Sequence, residues 1–162
     1  MLILDTSALI SLALVNEVET VCSEFEVHTT EPVIRELERI SREDDSLAEA
    51  ASTALGSDIT VHDVAGSRFE SSRIDPGEAS CAELTRDVDA DFLVTDDVRA
   101  LAELRAVSLA EVVISPVVLR ALVERGLLES KEAGEKVEKL AERRDWMGTP
   151  IYRRARGRLG LN

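Results

Sequence analysis

The sequence predicts an α/β domain with a central, mostly parallel sheet and a helical extension at its C-terminal end. Two observations predict the core: short apolar runs recur, and each is followed by a stretch whose apolar residues keep helical spacing, a pattern that lasts to about residue 110. The third is size. The 162 residues, 44% of them apolar, are enough for one ordinary core, so residues 1–162 read as a single domain, with its core in 1–110 and C-terminal helices and a basic tail in 111–162.

Leu2, Ile3 and Leu4 form an apolar run, as expected of a strand covered on both faces, and it stops at Asp5-Thr6-Ser7. Thr6 and Ser7 are cap candidates for a helix over 7–14, where Leu9, Ile10, Ala13 and Leu14 share a face. A second strand is expected over 25–28. Thr30 then caps a helix with Pro32 in its first turn, and Val33, Leu37 and Ile40 keep its period to about Arg42. Residues 46–55 make another helix, stopped by Gly56, and 59–64 alternate as a strand. Residues 65–74 carry Gly, Ser and charge and read as a loop. Asp75-Pro76-Gly77-Glu78 opens a helix to about Asp87, with a carboxylate in the first turn where the helix dipole favours it. The run DFLVT at 91–95 is the next strand, closed by Asp96-Asp97, before a helix over 98–104 and a short strand over 107–109. Two further helices, 116–124 and 130–144, flank Gly126.

Charge narrows the function classes. Thirty-two acidic side chains stand against 19 basic ones, for a formal net charge of −13 and an isoelectric point near 4.6. By itself that opposes a partner made of phosphates, and with 3% aromatics there is no platform on which bases could stack. Lys131, Lys136 and Lys139 are the only lysines, three of the 19 bases, which leaves 16 arginines. An acid-rich, lysine-poor surface suits the high-salt cytoplasm of a halophile, where carboxylates stay hydrated and their repulsion is screened; the alternative is a merely acidic mesophilic protein.

Asp5 interrupts the apolar opening, which has no basic leader, and no run reaches the roughly 18 apolar residues of a membrane span. The expected setting is therefore cytoplasmic, with no membrane partner. Cys22 and Cys81 are too few for a disulfide framework and read as small core residues. His28 and His62 are isolated in sequence, against zinc-ligand spacing and against a histidine-activated nucleophile. Chemistry must then rest on carboxylates.

Those carboxylates fall at telling places. Asp5 closes the first strand, Asp96 and Asp97 close the DFLVT strand, and Glu78 opens a helix that begins at the same edge. In a parallel sheet the carboxyl ends of the strands line the ligand crevice. Asp5, Glu78 and Asp97 are thus expected to meet, with Glu36 one turn into its helix and within reach. Each has a plain structural alternative: Asp5 or Asp96 as a helix cap, Glu78 as a dipole partner, Glu36 as surface. Together they would repel one another, and a hard divalent cation, Mg2+ or Mn2+, removes that conflict.

In order and spacing, LILDTSALI, VIRELE at 33–38, PGEASCAELTRD at 76–87 and FLVTDDVRALAE at 92–103 resemble the four acidic motifs of PIN-domain ribonucleases, including the VapC-like toxins of toxin–antitoxin pairs. The resemblance covers roughly residues 1–110. It implies a three-layer α/β/α fold with four to five strands, and cleavage of single-stranded RNA by a Mg2+- or Mn2+-dependent endoribonuclease. Carried across, Asp5, Glu36, Glu78 and Asp97 match the four catalytic acids. Asp5, Glu78 and Asp97, with Asp96 beside them, match the metal-binding set, and Glu78 stands where many members have Asp. Thr6, Ser7 and Thr95 are supporting hydroxyls and Asp75 a peripheral ligand. The resemblance also implies a homodimer and an antitoxin protein as partners.

Two rivals remain. One is a PIN fold without turnover that binds RNA or protein. The other, an aspartyl-phosphate enzyme or receiver domain, is opposed by Ser7 standing two places after Asp5 and by the absence of any lysine before Lys131. If RNA is the substrate, the cations that meet it are expected in the tail, where Arg143, Arg144, Arg153, Arg154, Arg156 and Arg158 have only Asp145 among them as an acid. The plain alternative for that tail is a disordered, solvated end.

Overall fold

Leu2, Ile3 and Leu4 are all buried, and the strand they form, β1 (Leu2–Leu4), has a parallel neighbour on each side. Helices α1 (Thr6–Leu14) and α5 (Pro76–Asp87) also pack against it, and a central strand covered in this way carries no polar residue. The computed structural model describes residues 1–64, 71–144 and 146–158, the side chain of Arg158 excepted. Two compact units are present, Met1–Val113 and Ile114–Asn162.

The first unit holds a five-stranded, fully parallel sheet. With β2 (Val27–Thr30), β3 (Thr60–His62), β4 (Phe92–Val94) and β5 (Glu111–Val113), the order is β3-β2-β1-β4-β5. Helices α1 (Thr6–Leu14), α2 (Val18–Glu24), α3 (Glu31–Ile40) and α4 (Ser46–Leu55) lie on the connections that run outward to β3. Helices α5 (Pro76–Asp87) and α6 (Leu101–Val107) lie on those that run the other way to β5. Right-handed crossovers therefore place α1–α4 on one face and α5–α6 on the other, giving three layers. The second unit is helical: α7 (Ser115–Glu124), α8 (Ser130–Arg143) and α9 (Pro150–Arg158) pack on one another. Gly126, at φ +73°, turns the chain after α7 in a conformation that other residues avoid.

Several boundaries move for local reasons. Helix α1 starts one residue early, because Asp5 rather than Thr6 or Ser7 is its cap and accepts the Ala8 N–H. Helix α2 has no counterpart in the sequence reading, and it pushes the second strand from 25–28 to Val27–Thr30. Thr30 makes no capping bond; its hydroxyl is held by Ser80 of α5, 2.6 Å away. Residues 59–64 shorten to Thr60–His62 as a strand. Of the expected loop over 65–74, residues 65–70 lie outside those described, and Ile74 is buried. Helix α6 begins at Leu101 instead of 98, with Ala100 rather than Asp96 at its cap position, and it runs through Val107. The last strand is therefore Glu111–Val113 and not 107–109, and Leu109 stands 69% exposed. The tail is not a solvated end: α9 buries Ile151, Tyr152 and Ala155. Cys81 is buried and Cys22 half-buried.

The two histidines, distant in sequence, are neighbours in the sheet. His28 Nδ1 lies 2.7 Å from His62 Nε2, and His28 Nε2 lies 3.0 Å from Glu26 Oε1. A carboxylate only accepts, so His28 donates to Glu26 from Nε2 and accepts the His62 N–H at Nδ1. The ring centroids are 4.9 Å apart, matching that contact plus two ring radii, so the rings meet edge to edge rather than face to face. This geometry seats one proton between the two nitrogens.

Candidate active site

The strand order places β1 and β4 side by side where the chain reverses its direction across the sheet. Ligand crevices of open parallel sheets form at that point, outside the carboxyl ends of the strands. Leu4 pairs with Val94, so Asp5 and Thr95 leave the sheet together, and Asp5 N–H donates to the Val94 carbonyl at 3.2 Å.

Asp5 is 2% exposed. Its Oδ1 accepts from Ser7 Oγ at 2.7 Å and from the Ala8 N–H at 2.8 Å, the cap of α1. Its Oδ2 is equally buried and makes no hydrogen bond. Burial pushes the carboxyl up to about 7; the hydroxyls of Thr95 and Ser7 and the Ala8 N–H offset part of the effect, and the Asp96 charge adds to it.

Glu78 is 4% exposed, in the first turn of α5. It forms a reciprocal cap with Asp75: Asp75 Oδ1 accepts the Glu78 N–H at 2.8 Å, and Glu78 Oε2 accepts the Asp75 N–H at 3.0 Å. Burial raises its carboxyl to about 8 against the Asp75 N–H, and the charges of Asp75, Asp5 and Asp97 raise it further. Glu36, on α3, receives the Thr6 hydroxyl on Oε2 at 2.6 Å. The two helices approach closely here, since a Cβ at Gly77 would lie 3.2 Å from Asp75 Oδ1 and 3.5 Å from Glu36 Oε2. Gly77→Ala is expected to lower stability by about 1 kcal/mol, the reverse of the usual gain for this change within a helix. A denaturation midpoint that rises instead would show that the Asp75 side chain gives way freely.

The end of β4 is tied to β1 through hydroxyls. The Asp96 N–H donates to Ser7 Oγ at 2.8 Å, the Asp97 N–H to Thr95 Oγ1 at 3.2 Å, and the Ser7 and Thr95 hydroxyls lie 3.4 Å apart. Ser7 gives its own proton to Asp5, and Thr95 Oγ1, which accepts the Asp97 N–H, lies beside it, so a row of polar contacts runs from Asp97 to Asp5. Asp96 is buried beside them. Asp97 is turned outward to Arg99: Oδ2 accepts Nη2 at 3.0 Å, and Oδ1 accepts the Arg99 N–H at 2.8 Å and Nε at 3.3 Å. Burial would raise the Asp97 carboxyl, but Arg99 holds it below the usual range.

A family model described as a PIN domain matches residues 1–160. The chain belongs to the PIN-domain family. No curated protein and no solved structure matches it. PIN domains are generally nucleases that use divalent metals.

The site of this PIN domain suits such an ion in its donor chemistry. The donors are all carboxylate oxygens, the preference of a hard cation, and Asp5 Oδ2 is a buried anionic oxygen that lacks a partner. Among the described residues, however, no three His, Cys, Asp or Glu side chains stand close enough to grip one ion together. Glu78 faces the Asp75 N–H and Asp97 faces Arg99, and these contacts are what an ion would have to displace. Of the four acids expected from sequence, Glu78 feels the charges of Asp5 and Asp97, and Glu36 reaches the α5 start at Gly77. Sequence reasoning missed Arg99, which alternates with the strand-end acids as D-x-R, and the Thr30–Ser80 contact that fixes the first turn of α5. The latter carries no local signal, since its partners are 50 positions apart.

Proposed function

We propose that this PIN domain is a divalent-metal-dependent endoribonuclease that cleaves single-stranded RNA. The observation that carries the reading is Asp5 Oδ2, an unpaired carboxylate oxygen sealed at the sheet's switch point beside two more carboxylates. Asp5, Glu78 and Asp97 would hold Mg2+ or Mn2+, with Asp96 and Glu36 completing the negative field. Ser7 and Thr95 orient Asp5 and the end of β4, and Thr6 fixes Glu36. The ion, when bound, neutralises the phosphodiester and lowers the pKa of its water. No histidine is required at this site. Incubating labelled single-stranded RNA with Mn2+ at high salt tests the reading, with cleavage to 5′-phosphate and 3′-hydroxyl ends expected and loss in EDTA. Intact RNA under both conditions would sink it.

One observation favours a second reading, a PIN fold that binds RNA or protein without turnover: the described acids do not converge on a single point. A Mn2+ titration separates the two, since the enzyme binds the ion at the acidic site and a scaffold has no need to.

The proposal includes a role as toxin, silenced by an antitoxin protein, and a homodimer, both by likeness to the family's toxins. It also places the protein in a salt-rich archaeal cytoplasm, in keeping with the acidic, lysine-poor composition. No helix among the described residues is long and apolar enough to cross a membrane. RNA would be met partly by α9, whose Arg153 and Arg154 are exposed while Ile151, Tyr152 and Ala155 anchor the helix. Arg156 lies over the Tyr152 ring at 5.7 Å, and the Arg158 side chain falls outside the described residues. Replacing Arg153 and Arg154 together with Glu is expected to weaken RNA binding and reduce its salt slope by about two. An unchanged slope would remove the tail from the RNA path.

A further inference from the structure

We propose that Arg99 is the phosphate-holding residue of this site, kept on Asp97 until a divalent ion takes that carboxylate and then released to the RNA. The inference rests on the ribonuclease reading above. Arg99 follows β4, two residues after Asp97, and its side chain is 85% exposed. Nε and Nη2 both point to the Asp97 carboxylate, and the backbone N–H clamps the same group, so the guanidinium is held at the mouth of the acidic site. It also lies within electrostatic reach of Glu78 and Asp75, whose charges strengthen its hold on its proton.

Three physical features suit it to the task. A phosphodiester entering a cluster of carboxylates is repelled unless a cation stands at the rim, and Arg99 stands there. A guanidinium presents five N–H donors in a planar fork that matches phosphate oxygens, and the contacts to Asp97 use only part of that set. An exposed ion pair is weak, so it yields readily to a divalent ion competing for the same carboxylate. The pair would thus act as an exchange: the ion replaces Arg99 on Asp97, and Arg99 turns its fork to the phosphate.

The exchange predicts effects of opposite sign in Arg99→Ala. Mn2+, titrated alone and followed by the spin-resonance signal of the free ion, should bind about threefold tighter, because a competitor has gone. A single-stranded RNA oligonucleotide, followed by anisotropy in Ca2+ and checked to be intact, should bind about tenfold weaker, with a salt slope smaller by about one. Arg99→Lys should fall between, keeping the charge without the fork. An Arg99→Ala variant that binds both ligands as the parent does overturns the proposal and leaves the ribonuclease reading standing. Weakening of both ligands also overturns it, since Arg99 would then only shape the loop. A parent protein that binds neither Mn2+ nor RNA overturns the ribonuclease reading itself, and the proposal with it.

Discussion

Asp5→Asn is expected to lose divalent-dependent RNA cleavage by on the order of 10²–10³-fold while keeping its fold. Asn retains the side-chain oxygen that caps α1 through the Ala8 N–H, so the helix start survives. What disappears is the negative charge on a buried carboxylate oxygen that makes no hydrogen bond. Circular dichroism of the variant should match the parent, and its Mn2+ binding at the acidic site should fall together with activity. A variant as active as the parent would remove Asp5, and with it the proposed site, from the reaction.

The second large effect is on stability and pH. In the metal-free protein the Asp5 and Glu78 carboxyls are raised to about 7 and about 8, while in the unfolded chain they ionise near 3.8 and 4.5. Between these limits the native state holds more protons than the unfolded state, so stability falls as pH rises. Below about pH 3 neither group contributes, and above about pH 9 the loss is complete. At about 1.4 kcal/mol per pKa unit the two shifts bound the decline at roughly 9 kcal/mol, and because part of the Glu78 shift comes from the Asp5 charge the expected fall is several kcal/mol, or roughly 10 °C or more in melting temperature. Asp5→Asn should therefore melt higher than the parent at pH 8 and close to it at pH 4. Mn2+ should restore the parent at pH 8 and have little effect on the variant. A metal-free parent whose melting temperature is flat from pH 5 to 8 would show that Asp5 and Glu78 ionise without strain.

Both expectations concern residues that were legible in the chain. Asp5 ends a wholly apolar strand and Glu78 opens a helix after Pro76-Gly77, so their places at one sheet edge follow from chain order and the parallel rule. The plain structural roles also hold, since Asp5 is a cap and Glu78 belongs to a reciprocal cap. For Asp5 the cap accounts for one oxygen and leaves the other. Helix α2 and the shifted second strand were not legible, because Val18 and Val21 are too few to show a helical period against the acids around them. Helix α9 was hidden in the same way, with three buried residues among four arginines.

The net charge of −13 looks different once the site is in view. It seemed to exclude nucleic acid, but charge summed over a chain says nothing of where a few carboxylates stand or which cation stands at their rim. Composition, strand-and-helix alternation and the four acidic motifs were determined by the sequence alone, because they depend on spacing along the chain. The orphan Oδ2 of Asp5, the Arg99 clamp on Asp97 and the paired histidines of β2 and β3 were decided only by tertiary structure. Each depends on what lies across a strand or a turn and on how much water reaches it. Neither distance nor desolvation is written in the order of residues.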